Sequence, residues 1–364
     1  MSDEHTAMPP DAVPQPVRPD QLAPEAAAFW RSVQEGRADL EALDALALME
    51  RLNALLEPHL PGVAVEVAEG NDDGPASPGA LLVLTAHGST EHFAAVQALA
   101  AAVPADLPWR TEAFRHRTGE GFGIRMDGLD LDAADVLARV GHCEGRVALA
   151  LSFAREIPVA QQERARHMAF IILDHLLGEY DFAVKVGLVE FASDGLSDDA
   201  GFESAPALSL TAAVAEVDRV WRETLGRSTL TPPEPHRWNR MEWRRRGGGE
   251  AQVSVNTSAN SLVGRADLGW RVDARVPAAG KADLKRAQAF EDAWLQRISP
   301  HGQGILTHVV LEGGQRTSSC HVADPMGAVA AAHAAASALQ GGAQALELEA
   351  RYEPAWDDYL GWSA

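Results

Sequence analysis

Cysteine is scarce in this sequence of 364 residues, where Cys143 and Cys320 stand far apart. Two distant cysteines cannot build a disulfide framework, and this usage is typical of a reducing compartment such as the cytoplasm. His142 and His321 adjoin the two cysteines, but neighbours on an extended strand point to opposite faces and rarely bind one metal ion together. We therefore expect neither a disulfide nor a metal site.

Signatures of catalysis and of cofactor binding are also lacking. The sequence contains no Gly-x-Ser-x-Gly nucleophile elbow, phosphate-binding loop or dinucleotide fingerprint. The glycines of segment 119–123 lie in an expected hairpin, and not between a strand and a helix as those motifs require. The sequence therefore favours a protein that binds no cofactor.

Positive charge is in short supply, since 31 lysines and arginines stand against 52 aspartates and glutamates, for a net charge of -21. Nucleic acid and anionic lipid attract proteins through local cationic charge. The charge therefore argues against a membrane partner and against nucleic acid. It is compatible with a basic protein partner, and equally with an acidic protein that only stays soluble.

Length and composition predict two domains, at roughly 150 residues per domain. Residues 1–24 have no cationic start and no apolar core, so we expect a disordered tail and not a signal peptide. Segment 226–235 carries Thr-Pro-Pro-Glu-Pro and is typical of a linker. It would separate an N-terminal α+β domain at 25–225 from a C-terminal α+β domain at 236–364.

Strand and helix patterns alternate in the C-terminal domain. They predict strands Trp238–Arg246, Gln252–Asn256 and Trp270–Val276, helix Lys281–Ile298, strands Ile305–Leu311 and Arg316–Ala323 around Gly313-Gly314, helix Asp324–Gln340, and strand Leu346–Tyr352. A hairpin between two helices predicts an antiparallel sheet with helices packed on one face, which is the ferredoxin-like arrangement. The first half has a similar order, so the expected fold class is α+β with two ferredoxin-like domains.

The last third of the chain resembles a bacterial family. The residues that carry the resemblance are Ile305–Arg316 (ILTHVVLEGGQR), Asp324-Pro325 at a helix start, and Glu353–Tyr359 (EPAWDDY). They resemble the family called domain of unknown function 695, which is sometimes joined to a domain like the type B regulator of ribonuclease E. The N-terminal half, through Leu173–Asp181 (LDHLLGEYD), is similar to uncharacterised bacterial proteins. The resemblance implies a cytoplasmic, non-enzymatic and regulatory role.

Titratable residues concentrate near the end of the expected helix Val159–Leu177. On a helical wheel His175 lies in the middle of the apolar face, and Glu179 lies on the same face. One interpretation makes His175 and Glu179, with Asp181 beside them, a hydrolase-like acid/base site. The other is a core histidine, with Gly178 ending the helix before the next strand. We favour the second, because no nucleophile or metal ligand converges here by spacing.

Strand 238–246 interleaves aromatic and basic residues. Alternation places Trp238, Arg240, Glu242, Arg244 and Arg246 on one face. Such a face could bind single-stranded RNA, or its arginines could keep an edge strand from pairing with other strands. Trp243, Arg244 and Arg246 are therefore candidates for partner binding.

The aromatic tail Trp356, Tyr359 and Trp362 is the other candidate for partner binding. Such a tail either packs on its own sheet or anchors a partner, and we expect Trp356 to pack and Trp362 to stay more exposed. Together these features predict a non-catalytic binding or regulatory protein that acts through protein–protein contacts. The alternatives are an enzyme centred on His175 and Glu179, and a regulator of RNA metabolism suggested by family association alone.

Overall fold

The chain forms two units that are densely connected internally, residues 1–114 and 115–364. The computed structural model describes residues 19–68, 80–119, 121–195, 200–227, 231–244, 250–299, 302–338 and 345–363. Among the helices of these ranges, none is both long enough and apolar enough to cross a bilayer.

A small sheet covered by helices forms the first unit. Its elements are α1 (Pro19–Glu35), α2 (Arg37–Leu40), α3 (Ala45–Leu56), β1 (Ala64–Ala68), β2 (Leu81–Thr85), α4 (Phe93–Ala101) and β3 (Arg110–Ala113). The strand order is β1-β2-β3. β1 and β2 are antiparallel, whereas β2 and β3 are parallel because α4 carries the chain back between them.

Helix α1 begins at Pro19, so residues 19–24 of the expected disordered tail are helical. Leu22, Ala26 and Phe29 are buried on one face of this helix, which gives the segment an apolar stripe that the prolines of the sequence obscured. Residues 1–18 lie outside the described residues.

The second unit begins with a hairpin, β4 and β5, and a mixed sheet. Its first elements are β4 (Gly123–Met126), β5 (Leu129–Asp132), β6 (Val136–Cys143), β7 (Arg146–Phe153), α5 (Gln162–Leu177), α6 (Glu179–Lys185), β8 (Val186–Phe191), β9 (Leu208–Ser209) and α7 (Leu210–Arg219). The mixed sheet has the order β8-β7-β6-β9. β7 and β8 are parallel because α5 and α6 cross between them.

These pairings correct the expectation for residues 25–225. An antiparallel, ferredoxin-like sheet is wrong for this segment, because its strands belong to three separate sheets and two of those sheets contain a parallel pair. The predicted class, α+β with several antiparallel pairings, is confirmed for the chain.

The C-terminal part of the second unit is a six-stranded antiparallel sheet. Its elements are β10 (Trp238–Arg244), β11 (Glu250–Asn256), β12 (Trp270–Pro277), α8 (Lys281–Ile298), β13 (Gly304–Glu312), β14 (Gln315–Val322), α9 (Pro325–Ala338), β15 (Glu347–Tyr352) and α10 (Asp357–Ser363). The strand order is β10-β11-β13-β14-β12-β15. Phe290 and Trp294 of α8 and Ala332 of α9 share one hydrophobic cluster with Val272 and Cys320, so both helices lie on one face.

The opposite face of this sheet belongs to a core that reaches across segment 226–235. Trp221 precedes the segment, and Val253 and Trp356 follow it, yet all three belong to one buried cluster. The Asn260 side-chain amide also donates to the Leu225 carbonyl at 2.8 Å. The division into units therefore falls at residue 114 and not at the proline-rich segment. The linker predicted independent folding of 25–225 and 236–364, whereas the shared core predicts that the two parts depend on each other.

Candidate functional site

The β10–β11 hairpin extends the sheet beyond the helix layer. Arg240 pairs with Ser254 and Glu242 with Gln252 across the hairpin, so these four side chains share a face. Every side chain from Trp238 to Glu242 is exposed. The strand therefore presents an uncovered surface, as far as the described residues show.

Three depressions lie along the hairpin, and two of them share Glu242 and Gln252. One of about 420 Å³ is bounded by Arg240 and Gln252 on the strands and by Gln288 on α8. A depression of about 330 Å³ continues it past Glu242 and Gln252 toward the β13–β14 turn. A third, of about 550 Å³, is lined by Trp238 and by Leu295 of α8. We call the three together the hairpin groove.

The arginines that line the hairpin groove differ in their partners. Arg316 is held by the carboxylate of Glu291 at 2.9 Å, and Arg265 pairs with Asp267. The side chains of Arg240 and Glu242 make no hydrogen bond or ion pair with any other residue that the structure describes. Arg240 and Glu242 are therefore a free cation and a free carboxylate in the groove, whereas Arg265 and Arg316, which also line it, are neutralised.

The structure places the predicted residues of strand 238–246 unequally. The alternation is confirmed for Trp238, Arg240 and Glu242, which all line the hairpin groove. Trp243 and Arg244 are the last residues of β10, where the structure describes their backbone alone. Arg246 lies outside the described residues.

The aromatic tail packs against the sheet, as predicted. Trp356 is fully buried and its Nε1–H donates to the Leu268 carbonyl at 3.0 Å. Tyr359 is also fully buried and its hydroxyl donates to the Asn256 carbonyl at 2.9 Å. Trp362 is half-buried. Burial removes Trp356 and Tyr359 from the surface, so neither can anchor a partner while the tail is packed.

A cluster of charged side chains lies beneath the tail. Arg271 of β12 reaches the carboxylates of Glu353, at 2.9 Å, and of Asp358, at 3.2 Å. Asp358 also contacts Nε2 of His308 at 3.0 Å. His321 is fully buried next to them and stacks on Trp356, with ring centroids 3.9 Å apart. Residues from three strands and the tail thus form one polar cluster, which we call the tail cluster.

Burial and charge act in opposite directions in the tail cluster. Burial tends to raise the pKa of Asp358, but the hydrogen bond from His308 and the positive charge of Arg271 outweigh it and hold this pKa below its usual value. Burial raises the pKa of Glu353. Burial, with the nearby His308 and Arg271, lowers the pKa of His321 well below its usual value. Neither ring nitrogen of His321 has a hydrogen-bond partner among the described residues.

Thr307, His308 and Asp358 resemble a hydroxyl–imidazole–carboxylate triad in their distances. The Thr307 hydroxyl oxygen lies 3.2 Å from His308 Nδ1, and Asp358 lies on the other ring nitrogen. A nucleophile must reach a substrate. The Thr307 side chain is fully buried, and its hydroxyl donates to the Ser319 carbonyl at 2.9 Å. The arrangement therefore ties two strands to the tail and offers no accessible nucleophile.

His175 and Glu179 do not share a helix face. Helix α5 ends at Leu177, and Gly178 turns the chain with φ +78°, so Glu179 begins α6. The helical wheel is therefore wrong for Glu179, because it assumed one continuous helix. His175 is half-buried and stacks on Phe122 at 4.4 Å, whereas Glu179 is fully buried and accepts from the backbone N–H of Arg115 at 3.2 Å.

Asp181 belongs to an ion-pair network and not to an acid/base site. Its carboxylate contacts Arg117, and also Lys185 at 2.9 Å. Asp218 joins both cations; burial works against its ionisation, but the hydrogen bonds from Arg117 and Lys185 lower its pKa to about 2. These residues fasten α6 to α7, which is a structural role.

Cys320 and His321 point to opposite faces of their sheet, as expected for an extended strand. Cys320 lies in the cluster beneath α8 and α9, whereas His321 lies in the tail cluster. Over the described ranges, no group of three or more His, Cys, Asp or Glu side chains is arranged to hold a metal ion.

The sequence did not reveal the hairpin groove or the tail cluster. Arg271, His308 and Asp358 are far apart in the chain, and only the strand order β13-β14-β12-β15 brings them together. The alternation of Arg271 and Asp273 with the buried Val272 and Ala274 was a signal that one face of β12 is polar.

No family model, curated protein or solved structure matches this chain.

Proposed function

We propose that this protein is a non-catalytic binding or regulatory protein, and that the hairpin groove is the surface through which it contacts a partner protein. The observation that carries the proposal is the uncovered face of β10 and β11, where three depressions lie along an exposed strand. Grooves of this kind, bordered by a helix and floored by strands, bind extended segments of other proteins.

The charge of the chain favours a basic segment as the occupant. Glu234 and Glu242 line the groove together with the unpaired Arg240, whereas Arg265 and Arg316 are already paired with carboxylates. The net charge of -21 adds a long-range attraction for a cationic partner. A partner that presents lysine or arginine in an extended segment therefore fits this surface better than nucleic acid.

We also infer that residues 270–352 have a ferredoxin-like arrangement. The elements β12-α8-β13-β14-α9-β15 follow the order strand, helix, strand, strand, helix, strand. The sheet order β13-β14-β12-β15 sets the first of these strands between the third and the fourth. In this description β10 and β11 are an added hairpin, which supports a specialised role for the groove that they form.

The proposal is tested by blocking the groove with a bulky side chain. Gln252 is exposed and lines two of the three depressions. Tagged wild type and Gln252→Trp are used to capture proteins from the source cells, with nuclease-treated and untreated lysates, and the captured proteins are quantified by mass spectrometry. Gln162→Trp, at an exposed position of α5, is the matched control.

We expect a basic protein to be retained by wild type and by Gln162→Trp, and to be depleted by at least about tenfold with Gln252→Trp. The retention should not change with nuclease. Equal capture by all three chains would contradict the groove as the binding surface. Nuclease-sensitive RNA in place of a protein would favour the RNA-binding alternative instead.

A further inference from the structure

Strand β10 is an open edge of the six-stranded sheet. It pairs with β11 along its seven residues, and no other strand of the described residues pairs with it. A strand of this length is about 23 Å long, at roughly 3.3 Å per residue. Its outer N–H and C=O groups therefore form a row on which another strand can pair.

We propose that two copies of this chain associate through β10, antiparallel, about a twofold axis at Met241. The two six-stranded sheets then form one continuous sheet of twelve strands. The contact uses the edge of β10 and does not depend on the protein partner proposed above. Trp238 and Met241, which are 39% and 37% exposed, supply the apolar side chains of the contact.

The charges of β10 are self-complementary in this register. With Met241 facing Met241 of the second copy, Arg240 of each copy faces Glu242 of the other, on the same face of the sheet. A shift of the axis by one residue would set Arg240 against Arg240, or Glu242 against Glu242. Both side chains are exposed and make no ion pair with other described residues of their own chain, so both are available.

The opposite edge of the sheet is less suited to the same role. On β15, Glu349 is paired with Arg351 at 2.7 Å, and Glu347 with Arg275 at 3.4 Å. A second copy would have to compete with these intrachain pairs. Only β10, of the two edge strands, combines free opposite charges with exposed apolar side chains.

Association through one strand is weak and reversible. A seven-residue edge buries less than the roughly 1,200 Å² of a stable standard interface, and two chains of charge -21 repel each other at low ionic strength. The measurement is therefore sedimentation velocity of the full chain over a wide concentration range at physiological ionic strength, where long-range repulsion is screened.

The decisive experiment uses two variants, each of which reverses one of the two charges on β10. Arg240→Glu sets carboxylates against each other across the axis, and Glu242→Arg sets guanidinium groups against each other, so each variant should lose at least about tenfold in dimerisation constant. An equimolar mixture of the two variants should associate again, because every cation faces an anion in the mixed pair. A defect in folding of either variant could not be repaired in this way.

Glu349→Arg is the control, since it makes the same charge change on the opposite edge of the same sheet. It should sediment as wild type does. A monomeric wild type at every concentration, a mixture that fails to associate, or a loss of association in Glu349→Arg would each overturn the proposal. Because no partner is present in this experiment, its failure would leave the capture experiment on Gln252→Trp unaffected.

Discussion

Replacement of Trp356 by alanine tests whether the tail is part of the core. The indole is fully buried, stacks on His321 and donates to the Leu268 carbonyl. Truncation of a buried tryptophan costs about 3–5 kcal/mol, and an orphaned carbonyl adds about 1 kcal/mol. Trp356 also has φ +59°, a conformation that the buried ring holds in place, so its loss lets the tail detach. We expect Trp356→Ala to lower local stability by about 4 kcal/mol or more.

The assay is native-state hydrogen exchange on peptides from β12 and β14, the strands that the tail covers. A loss of about 4 kcal/mol speeds exchange by about 1,000-fold. Trp362→Ala, at a half-buried position, and Trp238→Ala, at an exposed one, should change exchange by less than about tenfold. An exchange rate in Trp356→Ala within about fivefold of the wild-type rate would refute the reasoning. The tail would then be a surface segment and not part of the core.

Three further predictions concern buried histidines and the proline-rich segment. Because burial holds the pKa of His321 well below its usual value, the unfolded chain binds a proton at this residue below about pH 6.5 more readily than the folded chain does. The free energy of unfolding should therefore fall by up to about 1.4 kcal/mol for each pH unit below about 6.5. His321→Phe should flatten this pH dependence in urea titrations at several pH values. His175→Ala should lower the free energy of unfolding by about 1–2 kcal/mol, because a half-buried ring stacked on Phe122 is lost. Thermal or urea unfolding measures this loss. A stable variant that had lost a measurable turnover would favour the enzyme alternative. Fragments 115–225 and 236–364 each expose part of one core, so neither should unfold cooperatively when expressed alone; cooperative unfolding of both would support a boundary at the proline-rich segment.

The element order of the C-terminal part could be predicted because its signals are local. Alternating apolar residues and the Gly313-Gly314 turn predicted the β13–β14 hairpin, and the structure confirms it with strand ends that differ by one residue at most. Asp324 and Pro325 likewise predicted the start of α9, where the Asp324 carboxylate accepts from the N–H of Gly327 at 2.9 Å.

Features that depend on distant pairing could not be predicted. Phe182 and Val184 are strand-forming types, yet they continue α6, because Gly178 restarts a helix at Glu179 and Val184 is buried in the core. Propensity is a weak guide where tertiary packing decides. The tail cluster and the hairpin groove depend on which strands neighbour each other, and no local pattern of Arg271 or Gln252 contains that information.

The packed tail also constrains the order in which the chain can be completed during synthesis. Tyr359 bonds to Asn256, which lies 103 residues earlier, and Trp356 bonds to Leu268, 88 residues earlier. A growing chain that has already formed β11 and β12 therefore exposes His321 and the apolar face around it to water until the tail has emerged. Contacts of such long sequence separation form late and leave partly folded chains prone to association. Any process that stalls synthesis before residue 356 would thus release a chain whose sheet lacks its cover.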